Sequence, residues 1–157
     1  MNTNKTNRRA MLKGTVVTGA AVVAAAGVSG GVGRAADATA KKVYRNGPKP
    51  ATPPAYSTGV SLGNLLFLSG IVCRTPGDIK VHTEFAMGEL KKQLEAAGSS
   101  MEKVLRCTIF LADSKDFAGM NEVYTGKFGE EPPTRSTIAA AWIPAGSLIE
   151  IDAIAYI

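Results

Sequence analysis

The sequence predicts an α+β sandwich, with two helices packed on one face of a β-sheet. Three observations lead there. Beyond a leader, apolar runs and helix-spaced stretches follow in the order β-β-α-β-α-β-β, which segregates helices to one side of a sheet. Gly63-Asn64 separates two apolar runs and reads as a hairpin turn. In the last run Ile149, Ile151, Ala153, Ala155 and Ile157 fall on one side of a strand, giving a face that packs under helices.

Each element has its own signal. Gly59–Leu62 and Leu65–Val72 are the hairpin strands. From Val81 to Ala97 the spacing sets Ala86, Leu90, Leu94 and Ala97 on one helical face, and Gly98 supplies a stop. Val104–Leu111 is β-branched and apolar, hence a strand. Asp113 or Ser114 caps a second helix running to about Phe128, with Phe117, Met120, Val123 and Tyr124 as its apolar stripe. Two strands follow, near Arg135–Ile143 and Leu148–Ile157.

A chain of 157 residues suits one domain. Its 45% hydrophobic and 20% charged residues are ordinary for a globular protein. Two cysteines and one histidine exclude a disulfide scaffold and a histidine-built metal site. The net charge of +5 is mostly local: Lys5, Arg8, Arg9, Lys13 and Arg34 precede residue 41 with only Asp37 against them, which leaves +1 for the rest. That balance argues against a nucleic-acid partner.

Residues 1–40 have a basic start, an uncharged Gly14–Gly33 stretch and a run of small residues from Ala35 to Ala40, the three-part layout of an export signal. Six glycines in Gly14–Gly33 make it too weakly hydrophobic for stable membrane insertion, although a leader left uncleaved would act as an anchor. Asn7-Arg8-Arg9-Ala10-Met11-Leu12-Lys13 resembles the twin-arginine signal, which implies a bacterial protein passed folded through the twin-arginine translocase to a periplasmic or secreted location. Residues 41–55, rich in Pro and Lys, read as a linker, and 56–157 as the folded domain.

On the far face of the last strand lie Leu148, Glu150, Asp152, Ile154 and Tyr156, and Arg135 and Thr137 alternate likewise on the preceding strand, read as its neighbour. Such a face is too apolar for free solvent, which suggests a subunit interface with a pocket where Arg135 and Glu150 meet. An ion pair of Arg135 with Glu150 or Asp152, on a one-sided solvated sheet, is the plainer alternative.

These residues fall into blocks: Pro54-Ala55-Tyr56-Ser57, Gly63-Asn64-Leu65-Leu66-Phe67-Leu68-Ser69-Gly70, Leu94-Glu95-Ala96-Ala97-Gly98, Asp116-Phe117-Ala118-Gly119-Met120-Asn121, Pro133-Thr134-Arg135-Ser136 and Ile149-Glu150-Ile151-Asp152-Ala153. In order and together they resemble the RidA/YjgF reactive-intermediate deaminase family, also labelled L-PSP endoribonuclease, from Pro54 to the C-terminus. The resemblance implies a chorismate-mutase-like fold with one mixed sheet, a homotrimer with clefts between subunits, no metal and no organic cofactor. It implies hydrolysis of enamines and imines such as 2-iminobutanoate and 2-iminopropanoate to 2-oxo acids and ammonia. By the same resemblance Arg135 clamps the substrate carboxylate and Glu150 positions or activates water. Tyr56 lines the pocket, Ser69 and Gly70 bring backbone to the ligand, and Asn121 is structural.

The chain also departs from the pattern. Ile71-Val72-Cys73 stands where many members have Gln-Ile-Pro, which takes a polar group from the cleft. Thr137, another substrate-binding candidate, stands where many deaminases have Cys, and keeps a hydroxyl without thiol chemistry. Ala55 replaces a common Pro or Gly, and Thr134 a usual Ala. Outside the motifs, Asp152 reads as structural, Cys107 as a buried thiol, Cys73 as a free thiol near a loop, His82 as a surface residue and Trp142 as packing. A Cys73–Cys107 disulfide is permitted in an oxidising compartment.

Three function classes follow: a small-molecule hydrolase, a non-catalytic trimer that binds small carboxylates or unfolded chains, and a ribonuclease. The lone His82 and the near-neutral domain weigh against the last.

Overall fold

The computed structural model describes residues 40–157; the segment read as an export signal, apart from Ala40, lies outside them. Eight elements follow in order: β1 (Lys42–Tyr44), β2 (Gly59–Leu62), β3 (Leu65–Val72), α1 (Ile79–Ala96), β4 (Val104–Leu111), α2 (Phe117–Tyr124), β5 (Thr134–Ala139) and β6 (Ile149–Tyr156). They form a six-stranded sheet in the order β1-β2-β3-β6-β4-β5. All neighbouring strands are antiparallel except β4 and β5. That parallel pair needs a crossover, which α2 supplies.

The expected hairpin is present, with Gly63 at φ +60° and Leu62 paired with Leu65. The 41–55 segment is more than a linker. Its residues Lys42, Val43 and Tyr44 pair with Ser61, Val60 and Gly59 as an edge strand. Three residues carry too little alternation to show in the sequence.

The Asp78 side chain accepts the Val81 backbone N–H at 2.9 Å, so α1 opens at Ile79, two residues before the sequence suggests. The buried stripe therefore starts at His82 and Thr83 and continues through Ala86, Met87, Leu90 and Leu94. His82 is a core residue, only 4% exposed, and not a surface one. Gly98 ends the helix at φ +83°. Asp113 caps a single 3-10 turn by accepting the Lys115 N–H at 2.9 Å. The α2 helix proper stops at Tyr124, and left-handed Gly126 and Gly129 turn the chain on either side of Phe128. Phe128 stays buried beside Tyr124, ring centroids 5.0 Å apart.

The core lies between α1 and the sheet: Leu90 and Leu94 meet Leu66, Ile109, Ile149 and Ile151, all fully buried. Ala153 and Ala155 extend that face as expected, whereas Ile157 is 38% exposed beyond the strand end. The central strand β6 lies between β3 and β4, so β5 is not its neighbour as the sequence suggested. The opposite face of the sheet leaves Leu65, Phe67, Ile138 and Tyr156 exposed. Trp142, read as packing, is 75% exposed. No helix among the described residues is long and apolar enough to cross a membrane.

Cys73 and Cys107 are both buried free thiols, and burial pushes Cys107 up to about 11. Native protein should resist iodoacetamide at neutral pH and take up two adducts once denatured, as read by mass spectrometry. Leu90→Ala should cost about 2–5 kcal/mol in chemical denaturation, because its site is enclosed on all sides.

Candidate active site

The six site residues proposed from the sequence fall into two groups, Arg135 and Thr137 on the helix-facing side of β5 and the other four around β3, where Glu150 lies on the opposite face of the sheet. Arg135 pairs with Cys107 on β4, a position that faces the helices. Its Nη1 donates to Asn121 Oδ1 on α2 at 2.7 Å. The guanidinium lies over the Tyr124 ring at 4.7 Å and near the Phe117 ring at 5.7 Å. Phe117, Asn121 and Tyr124 share one face of α2 through spacings of four and three residues. They hold the cation with an amide and two π-faces. Burial raises the Tyr124 phenol well above its ordinary value, so the ring facing Arg135 stays neutral.

None of these groups neutralises Arg135. Among the described residues no carboxylate forms a salt bridge with it, so the ion pair with Glu150 or Asp152 is absent. A cavity of about 420 Å³ opens beside it, lined by Asn121, Tyr124, Phe128, Pro133 and Arg135. Thr137 is two positions along the same face of β5, and its buried hydroxyl has no hydrogen-bond partner among the described residues.

The second group surrounds a β-bulge. Pairing of β3 with β6 slips between Leu68 and Ile71, which leaves Ser69-Gly70 out of register. Glu150 is on the face away from the helices, next to buried Ile149 and Ile151, and its carboxylate covers Gly70. A Cβ at Gly70 would collide with it, so the absence of one lets the carboxylate lie there. Burial, and secondarily the negative charge of Asp152, raise the Glu150 pKa above the usual carboxylate range. Ser69 Oγ donates to the Ser57 carbonyl at 2.7 Å, and so ties the loop carrying Tyr56 to β3. A cleft of about 280 Å³ is lined by Tyr56, Ser69, Gly70, Arg74 and Phe85, and Tyr56 is 71% exposed at its rim. Ile71 follows the bulge, 6% exposed and packed in the core, and also lines this cleft, so an apolar side chain stands there as expected.

Arg135 and Glu150 therefore do not meet within one chain. They lie on opposite faces, on strands that β4 separates. The aromatic and amide support of Arg135 was visible in the sequence only as the apolar stripe of the second helix. The signal was the spacing of Phe117, Asn121 and Tyr124 opposite a strand arginine. Among the described residues, no group of three or more His, Cys, Asp or Glu is placed to hold a metal ion. Gly70→Ala should drive the Glu150 carboxylate off the bulge, and carboxyl NMR titration should show Glu150 returning toward its ordinary pKa while the fold persists.

Residues 46–157 match the family model described as Endoribonuclease L-PSP. A RutC family protein of Pyrococcus horikoshii is 43% identical over 118 residues, covering 71% of this chain and 92% of the relative. TdcF of Escherichia coli, named as a proposed reactive intermediate deaminase, is 35% identical over 124 residues, covering 73% of this chain and 96% of its own. Among solved structures, RidA of the Antarctic bacterium Psychrobacter sp. PAMC 21119 superposes with a TM-score of 0.63 at 32% identity, covering 69% of this chain and 93% of that one. Bulge, caged arginine and sheet order thus occur in a chain that belongs to the L-PSP, or RidA/YjgF, family.

Proposed function

We propose that this protein is a deaminase that hydrolyses small 2-imino acids, and their enamine tautomers, to 2-oxo acids and ammonia at a site shared between two protomers of a homotrimer. The observation that carries the reading is the unneutralised charge of Arg135. It is held by neutral groups only, beside an open cavity. A planar guanidinium so placed suits a carboxylate bound by two parallel hydrogen bonds. The unpartnered Thr137 hydroxyl on the same face is free to serve the ligand.

The second half, Glu150 over Gly70 with Tyr56 and Ser69 nearby, supplies the carboxylate. The exposed apolar face that bears Phe67, Ile138 and Tyr156 supports association of copies. In the proposed assembly the β5 edge of one protomer, which carries Arg135, is set against the Glu150 face of another. Glu150 then accepts a proton from water as the water oxygen bonds to the imine carbon. The same proton passes to the nitrogen and gives a carbinolamine; Glu150 then takes the proton of the new hydroxyl and delivers it to the amine as the C–N bond breaks, so that ammonia leaves and the 2-oxo acid remains. TdcF, whose name carries this role, supports the general assignment. The near-neutral charge of residues 41–157 gives no electrostatic footprint for RNA.

From the Arg8-Arg9 pair and the uncharged Gly14–Gly33 stretch we also propose that residues 1–40 direct twin-arginine export. A reporter fused to them should reach the periplasm, and Arg8→Lys with Arg9→Lys should block it.

Purified protein should accelerate loss of 2-iminopropanoate in a coupled assay. Arg135→Ala should lower kcat/KM at least about 100-fold, the scale of a lost charge-assisted pair, and Glu150→Gln should lower kcat about 10²–10⁴-fold. Equal rates with and without protein would overturn the reading. The raised Glu150 pKa places the acidic limb of kcat/KM above the ordinary glutamate range. It also has a stability consequence. Folding raises this pKa, so ionised Glu150 costs stability, a cost absent below the unfolded pKa and complete above the folded one. Glu150→Gln should therefore raise Tm at about pH 7, and the gain should fade toward roughly pH 4.

A further inference from the structure

Buried polar groups outside the two half-sites gather at one point. Ser147, 2% exposed, and His82, 4% exposed, join three segments that are remote in sequence. The Ser147 hydroxyl accepts the Cys73 N–H at 3.1 Å and the Ile149 N–H at 3.3 Å. It donates to the Ile149 carbonyl at 2.6 Å. His82 Nδ1 accepts the Leu148 N–H at 3.0 Å. The end of β3, the entry to β6 and the first turn of α1 are thereby tied through two side chains. The left-handed Ala145 and Gly146, at φ +61° and +70°, make the turn that carries Ser147 inward.

The position of this junction matters. The bulge interrupts the β3–β6 ladder, and beyond it only Ile71↔Ile151 and Val72↔Glu150 remain paired. On its β3 side Glu150 thus sits near a ladder end with two rungs, while on its other side it pairs with Phe110 of β4. The junction lies just past that end, on Cys73 next to Val72 and on Ile149 next to Glu150.

We propose that His82 and Ser147 are positioning residues for Glu150: they close the frayed end of the β3–β6 ladder and so hold the Glu150 carboxylate over Gly70. Neither touches substrate. The proposal rests on the reading of Glu150 as the group that orients water. Removing either side chain leaves a buried N–H without a partner, which the strand ends relieve by parting. A displacement of about 1 Å at a catalytic group is enough to lower turnover up to roughly 100-fold.

The experiment compares the full chain with His82→Leu, His82→Asn and Ser147→Ala, each first checked for assembly and melting. The Asn side-chain oxygen reaches the place of Nδ1 and keeps the acceptor. Two readouts are taken: kcat and KM with 2-iminopropanoate, and the carboxyl NMR titration of Glu150. His82→Leu and Ser147→Ala should lower kcat roughly 10- to 100-fold with KM within about two-fold, since Arg135 binds elsewhere. Both should move the Glu150 titration toward its ordinary value, and His82→Asn should restore both readouts. If His82→Leu does not fold, Ser147→Ala, which retains the imidazole, gives the same decision. An unchanged Glu150 titration in the folded variants would overturn the proposal, as would equal losses in His82→Leu and His82→Asn. Wild-type protein with no turnover but with the expected titration shifts would refute the deaminase reading and leave the positioning role standing.

Discussion

An arginine whose charge is supported but not cancelled is the interaction on which the account depends. Asn121 fixes one end of the Arg135 guanidinium, and Tyr124 lies under its plane. An amide oxygen and a π-face orient a cation without supplying a counter-ion. Had a carboxylate of the same chain stood there, the site would be a closed ion pair with nothing left for an anionic ligand. Parallel β5 on the sheet edge makes this possible, because it turns Arg135 toward α2 and away from Glu150.

The acidic half obeys the opposite logic. Glu150 is crowded by burial and by Asp152, both of which disfavour its charge, and the Gly70 bulge gives it the only kind of surface it can lie against. A carboxylate held in this way is a stronger base than one in water. Separating the two charges onto different faces keeps each from quenching the other within one chain; in the proposed trimer neighbouring protomers bring them together.

Much of this was legible in the sequence, and the gaps have physical causes. Strand alternation revealed β6 and its buried face because eight residues in a central strand repeat the pattern four times. The three-residue β1 has no such repetition. Sequence adjacency suggested β5 as the partner of β6, but a parallel crossover through α2 sends β5 to the edge beyond β4. Arg135 and Glu150 were recognisable one by one, yet their separation depends on that strand order, which periodicity does not encode. His82 was misread because the Asp78 cap shifts the helix start and so rotates which side chains face inward.

The central claim, that each site takes its cation from one protomer and its carboxylate from another, is tested most directly by mixing two inactive variants. Arg135→Ala and Glu150→Gln proteins are unfolded, combined in equal amounts and refolded together, and turnover of 2-iminopropanoate is measured. With random assembly half of the protomers keep the arginine and half the glutamate, so a shared site predicts recovery of roughly a quarter of wild-type activity. Mixed oligomers as inactive as either parent would contradict the account.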